Sequence, residues 1–153
     1  MAFSRFFHDL IGFRPYSLQV AALCLRGQVS EREVLLVTSR ASKRNRQWIL
    51  PKGNPIAGLD LHHAAEREAW EEAGARGKAH PQPIGSYLHI PPSARQFSRP
   101  VEVHIFQIDE PKLSDDFPEA RQRKRRWMNL HEAAGTVQQP ELAALLHSLS
   151  ISS

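Results

Sequence analysis

Three glutamates define the chemistry open to this chain. In the run Arg67-Glu68-Ala69-Trp70-Glu71-Glu72-Ala73-Gly74, Glu68 and Glu72 stand at i, i+4 and Glu68 and Glu71 at i, i+3. On a helix that spacing brings all three carboxylates to one face. Like charges at such separation repel, so the arrangement calls for a counter-ion. A hard divalent cation fits, because Mg²⁺ takes oxygen ligands and is held by carboxylates together with substrate phosphates. The plainer reading is a solvated helix with an acidic stripe. Three features argue against it: Pro51, Gly53 and Gly58 precede the run, Gly74 ends it, and Arg67 stands beside the acids as a hydrogen-bond donor.

The elements around the glutamates follow from pattern. The acidic helix is expected from about Leu61 to Ala73, with Asp60 as its N-cap and Gly74 as its left-handed stop. Leu61, Ala65 and Ala69 give it a small-residue face for packing on a sheet. His62 and His63 read as ordinary helix residues, since no third nitrogen or sulfur ligand is close in sequence. Ahead of the helix, Trp48-Ile49-Leu50 reads as a short strand broken by Pro51. Lys52-Gly53 then lies at the mouth of the site, where lysine can meet a phosphate as a point charge and glycine lets backbone approach a ligand closely.

Strands are expected at Ser17 to Leu25, Val34 to Thr38, Ile84 to Ile90, Val101 to Ile108 and Trp127-Met128. Val101 to Ile108 has apolar residues on both faces, as a central strand does. Between them, residues 26 to 33 read as a hairpin turn, 40 to 47 as a cation-rich loop and 109 to 118 as an irregular acidic connection. A short helix near Asn129 and an amphipathic helix from Glu141 to Leu149 end the chain. At the start, Phe3, Phe6, Phe7, Leu10 and Ile11 have helical spacing and suit a short helix packing on the protein's own core. Strands with an inserted helix and a closing helix make an α+β domain, with residues 1–16 as an extension and 17–153 as one domain.

The 153 residues suffice for one sizeable core. Their 20 basic and 16 acidic side chains leave a net charge of +4, which favours anionic partners. Cys24, the single cysteine, excludes an internal disulfide and sits in an apolar run as a small core residue. No apolar run approaches bilayer length, and Arg5, His8 and Asp9 interrupt the apolar residues at the start, unlike a signal peptide. The expectation is a cytoplasmic protein with no membrane partner. Composition says nothing of oligomeric state.

The stretch from Gly53 to Ala75 resembles the Nudix box, G-x5-E-x7-R-E-U-x-E-E-x-G-U, with U a bulky apolar residue. Gly53, Arg67, Glu68, Glu71, Glu72 and Gly74 fall in register; Leu59 replaces the first glutamate, and Ala69 and Ala75 are smaller than the usual U residues. The resemblance implies an α/β/α sandwich around a mixed β-sheet and a Mg²⁺- or Mn²⁺-dependent hydrolase of diphosphate linkages. It implies that Glu71 and Glu72 are the principal metal ligands, that Glu68 is a ligand or the general base, that the Gly53 carbonyl is a further ligand, and that Arg67 orients the glutamates. Some members carry the base on a later loop, which points to Glu102 or Glu119. Beyond the box, LPKG, the cationic loop before Trp48, Arg95 and Arg99 ahead of a long strand, and RKRRWM make the chain similar to one branch, the diphosphoinositol polyphosphate phosphohydrolases that also cleave diadenosine polyphosphates. The substrate is then a polyphosphorylated small molecule, and Lys43, Arg44, Lys52, Arg95, Arg99, Arg123 and Arg125 are the candidates for phosphate contacts.

Two other functions compete. Leu59 motivates a Nudix-fold binding module that has lost catalysis. The run Arg121 to Arg126, followed by Trp127, motivates a nucleic-acid binder or an RNA 5′-end pyrophosphohydrolase. The run's position before a strand favours a role with substrate phosphate.

Overall fold

The computed structural model describes residues 17–90 and 100–152. The expected N-terminal helix and the two arginines Arg95 and Arg99 lie outside the described residues.

The strands are β1 (Ser17–Arg26), β2 (Glu33–Thr38), β3 (Trp48–Ile49), β4 (Lys52–Gly53), β5 (Ala75–Arg76), β6 (Gly85–His89), β7 (Val101–Asp109), β8 (Lys112–Leu113) and β9 (Arg125–Asn129). The helices are α1 (Leu61–Ala73), α2 (Leu130–Thr136) and α3 (Pro140–Ile151). Seven strands form one mixed sheet with the path β3-β2-β1-β7-β6, to which β9 adds on β2 and β4 on β1. The central pairing, β1 with β7, is parallel and runs from Ser17↔Val101 to Leu25↔Asp109. Both strands are buried through most of their length, which is why they read as near-continuous apolar runs. The remaining pairs are antiparallel.

The sheet forks beside the glutamates. β1 and β2 pair only at Leu25↔Val34 and Arg26↔Glu33. Farther along, β3 lies on β2 through Val37↔Ile49 and Thr38↔Trp48, and β4 lies on β1 through Val20↔Gly53 and Ala21↔Lys52. Leu50 and Pro51 carry the chain from one prong to the other. Pro51 is buried, and its carbonyl accepts a hydrogen bond from Ala22 N at 2.9 Å.

Helices cover both faces of this sheet, completing the α/β/α sandwich. On one face α1 packs through Ala64, Ala65, Ala69 and Ala73 against Val20, Ala22, Cys24, Leu35, Val37 and Phe106. On the other, Leu142 and Leu146 of α3 and Leu130 and Ala133 of α2 meet Leu23, Leu36, Tyr87, Ile105 and Met128. Helix ends follow local chemistry. Gly74 closes α1 at φ 65°, with its N–H bonded to Trp70 O at 3.0 Å. The Asn129 side chain caps α2 by accepting from Glu132 N at 2.7 Å, and Pro140 opens α3.

Two expectations need correction. Asp60 occupies the N-cap position of α1, but its carboxylate makes no capping hydrogen bond. The 109 to 118 connection is not wholly irregular: β8 within it pairs with β5, placing Ala75 against Leu113 just beyond the end of α1. Two-residue strands carry no periodicity from which to read them.

Candidate active site

The prong carrying Lys52 and Gly53 meets the second half of α1. A methyl group built on Gly53 would fall 2.3 Å from the Glu68 carboxyl, so any larger residue there would push that side chain out of its place over β4. The Lys52 N–H donates to Glu72 Oε1 at 3.1 Å, tying β4 to the helix. The other Glu72 oxygen, Oε2, faces Arg123 Nη2 at 3.1 Å, and both side chains are only 7% exposed. Arg123 also donates through Nε to Glu119 Oε1 at 2.9 Å and through Nη1 to Thr38 O at 2.8 Å. Glu119 in turn hangs on the helix, its N–H bonded to Glu71 O at 3.0 Å. Two distant segments thus meet at the Glu72 carboxyl, and Arg123 ties it in turn to Thr38 on β2 and to Glu119.

Electrostatics show what the cluster lacks. Burial pushes the Glu72 carboxyl up to about 8, despite Arg123 and the Lys52 N–H, which pull it down; Glu68 and Glu119 add to the rise. Glu68 is also held above the ordinary range, by burial first and then by the charges of Glu71 and Glu119. Burial therefore outweighs the ion pair, and the group of acids has more negative charge than one arginine offsets. Lys52 is shifted down, mainly by burial, with Glu72 and Glu68 opposing that shift. These oxygens, together with the Gly53 backbone, are the donor set of a hard divalent cation, and a cation would relieve both the burial and the repulsion.

The sequence-derived residues fall into three groups. Gly53, Glu68, Glu72 and Lys52 come together at the fork, with Glu71 near enough for its charge to act on Glu68. Glu119 joins them through Arg123, whereas Glu102 lies on β7 with its Oε1 3.2 Å from His104 Nε2. Lys43 and Arg44 sit exposed on a 3₁₀ turn before β3. Arg125 is committed elsewhere: Nη1 donates to Ala73 O at 2.7 Å and to Ser114 O at 2.6 Å, and Nη2 pairs with Asp115 at 2.6 Å. It caps the C-terminal end of α1 rather than facing the glutamates. Arg67, one residue before Glu68 and so about 100° round the helix, lines a separate recess with Leu59, His63, Glu66, Trp70 and Arg76. Among the described residues no hydrogen bond or ion pair joins Arg67 to the three glutamates.

The basic run does not form one cationic surface. Arg123 and Arg125 turn inward, and Arg126 pairs with Glu132 at 3.1 Å. Sequence reasoning missed Gln19 and His89. Gln19 Oε1 accepts from Lys52 Nζ at 3.0 Å, and its Nε2 reaches Asn54 Oδ1 at 3.4 Å. His89, on β6, is held below its ordinary value by burial and by the charge of Lys52. A glutamine at the start of an apolar strand was the only signal available for the first.

A NUDIX domain model matches residues 15–148. The chain is 30% identical over 148 residues to diphosphoinositol polyphosphate phosphohydrolase 3-alpha of Mus musculus, covering 94% of this chain and 82% of that protein. It is 30% identical over 148 residues to diphosphoinositol polyphosphate phosphohydrolase 2 of Homo sapiens, covering 94% and 74%. Among solved structures, a C. elegans Ap4A hydrolase superposes with a TM-score of 0.62 at 22% identity, over 88% of this chain and 96% of that one, a likeness of fold. The chain belongs to the Nudix family, and on that footing it is an enzyme, a phosphohydrolase of pyrophosphate linkages. No helix among the described residues is long and apolar enough to cross a membrane.

Proposed function

We propose that the protein is a cytoplasmic, divalent-metal-dependent hydrolase that cleaves a phosphoanhydride in a polyphosphorylated small molecule, of the diphosphoinositol polyphosphate or diadenosine polyphosphate class. The observation that carries this reading is the convergence of Gly53, Glu68 and Glu72 at the sheet fork, with both carboxyls shifted upward by burial first and by neighbouring acids second. The diphosphoinositol polyphosphate class is supported by the 30%-identical relatives, and the diadenosine polyphosphate class by the likeness of fold to the C. elegans Ap4A hydrolase alone.

In this reading Glu71, Glu72 and the Gly53 carbonyl hold Mg²⁺ or Mn²⁺. Such a cation, when bound, polarises phosphate oxygens and acidifies water. Arg123 positions two carboxylates at once, Glu72 and Glu119, and its bond to Thr38 O fixes it to the sheet. Glu68 either completes the ligand set or accepts the proton of the attacking water at a carboxylate oxygen. Glu119 is the second candidate for that proton. Lys52, steadied by Gln19, places its ammonium against a phosphate at the site mouth. Lys43 and Arg44, exposed beside β3, meet phosphates farther out. The split of the basic run between buried and exposed tasks favours the small-molecule reading over the RNA one.

The test is release of phosphate or pyrophosphate from diadenosine polyphosphates, nucleoside triphosphates, diphosphoinositol phosphates and 5′-triphosphorylated RNA, with Mg²⁺ and then Mn²⁺. Glu72→Gln should lower turnover by more than about a hundredfold, since loss of even an outer partner of a metal ligand costs about 10- to 100-fold. Undiminished turnover by that variant would sink the assignment.

A further inference from the structure

The first turn of α1 carries a second group of ligand-type side chains. Asp60, His62 and His63 each offer one ligand atom, and the three atoms lie within 4.8 Å of one another. The His62 and His63 rings are 4.1 Å apart between centroids, and His63 Nδ1 is 3.9 Å from Asp60 Oδ2. By the 1.5 Å rise per residue, the group stands roughly 10 Å along the helix from the glutamates.

Asp60 behaves unusually for its position. An aspartate at an N-cap ordinarily accepts a hydrogen bond from the second or third amide of the helix, which belong here to His62 and His63. Its carboxylate makes no such bond and lies instead toward the imidazole of His63. The helix thus forgoes a local stabilisation, and the carboxylate and both rings remain available to an incoming ligand. Asp60 and His62 also face a shallow recess of about 370 Å³, walled by Pro81, Pro83, His104 and Phe106, which gives water or a small ligand access from one side.

We infer that Asp60, His62 and His63 form a binding site for a borderline transition-metal cation, Zn²⁺ or Co²⁺, separate from the glutamate cluster. Two imidazoles and one carboxylate are the donor set such ions take, with bonds of about 2.0–2.2 Å, whereas Mg²⁺ prefers oxygen alone. Asp60 and His63 are exposed and His62 half-exposed, and binding would draw the three atoms from within 4.8 Å to tetrahedral spacing. The carboxylate supplies a full negative charge where the helix N-terminus offers only a partial positive one. Three protein ligands leave a position for water.

The decisive experiment titrates Co²⁺ into the folded full-length protein and follows its visible ligand-field bands, with Zn²⁺ as competitor. Glu72→Gln serves as the background, so that binding at the glutamates does not confuse the readout. One Co²⁺ should bind with the intense bands of four-coordination and be displaced by Zn²⁺. His63→Ala, and separately His62→Ala, should weaken binding by more than about tenfold, the least expected when a direct ligand is lost. Asp60→Asn, which keeps an N-cap side chain while removing the charge, should also weaken it. Mg²⁺-dependent turnover of His62→Ala/His63→Ala should stay within about twofold of wild type, because neither ring belongs to the glutamate cluster. Unchanged Co²⁺ bands and affinity in that double variant, with folding verified by circular dichroism, would overturn the inference. So would the absence of any Co²⁺ binding once Glu72 is changed.

Discussion

The two faces of the sheet are packed by opposite means. The face under α2 and α3 is filled by large side chains, Leu23, Leu36, Tyr87, Ile105, Met128, Leu142 and Leu146, all buried. On the other face the helix itself supplies only alanine to the buried core, at Ala64, Ala65, Ala69 and Ala73, against Val20, Ala22, Leu35, Val37 and Phe106 of the sheet. Large residues bury more apolar area and hold the fold together. Small ones let the backbone of α1 settle close to β1 and β4, so that the short reach of Glu68 and Glu72 ends at Gly53 and Lys52. One face is built for stability and the other for approach, and substitutions should separate the two.

The largest effect on stability is expected on the large-residue face. Leu142→Ala should cost about 2–5 kcal/mol, the range for emptying a fully buried leucine site. Turnover per folded molecule should hardly change, and denaturant melts beside activity measured well below the midpoint would check both. Ala69→Leu, on the other face, should cost about 1–3 kcal/mol by overpacking. Here turnover should fall more steeply than stability, because lifting α1 withdraws the carboxyls from β4. Equal losses of activity in the two variants would refute the division of labour. Arg125→Ala comes next. It strips donors from Ala73 O and Ser114 O and should cost about 1–3 kcal/mol. Its thermal melts should shift while the KM for a polyphosphate substrate stays put, and a raised KM would return Arg125 to the substrate.

The last effect is one of pH. In metal-free protein Glu72 is raised from its ordinary value near 4.5 to about 8. The folded state therefore holds a proton that the unfolded chain has released. The stabilisation this gives is full below about 4.5 and is lost as pH rises toward about 8. Melting temperature should fall over that window without metal. Glu72→Gln should flatten the profile, and added Mg²⁺ should recover stability at the alkaline end.

Much of the α1 face was legible from sequence. The helix runs from Leu61 to Ala73 as read, because acid spacing, alanine spacing and a left-handed glycine stop all point to the same register. β7 was equally plain, as a run apolar on both sides. The assignments of individual cations were not. Arg123 and Arg125 look alike in a basic run, yet one clamps Glu72 and Glu119 while the other caps a helix. What separates them is which carbonyls and carboxylates the fold brings near, and that is long-range information. Asp60 illustrates the reverse: its position as N-cap was readable, but the direction of its carboxylate depends on neighbouring rings.

The parallel pairing of β1 with β7 also bears on how the protein reaches this state. It sets Ser17 beside Val101, with α1 in the chain between them. Contacts this distant in sequence require closing a long loop before they return any free energy, and they slow folding. On the ribosome, the helix that bears the glutamates emerges before the strand that completes the floor beneath it. Its acids therefore wait in solvent, on a helix with little apolar surface of its own, until β7 is made. The order of synthesis thus delays the site, and a chain cut short before Val101 should lack both the last strand of the floor and the Glu119–Arg123 clamp on Glu72.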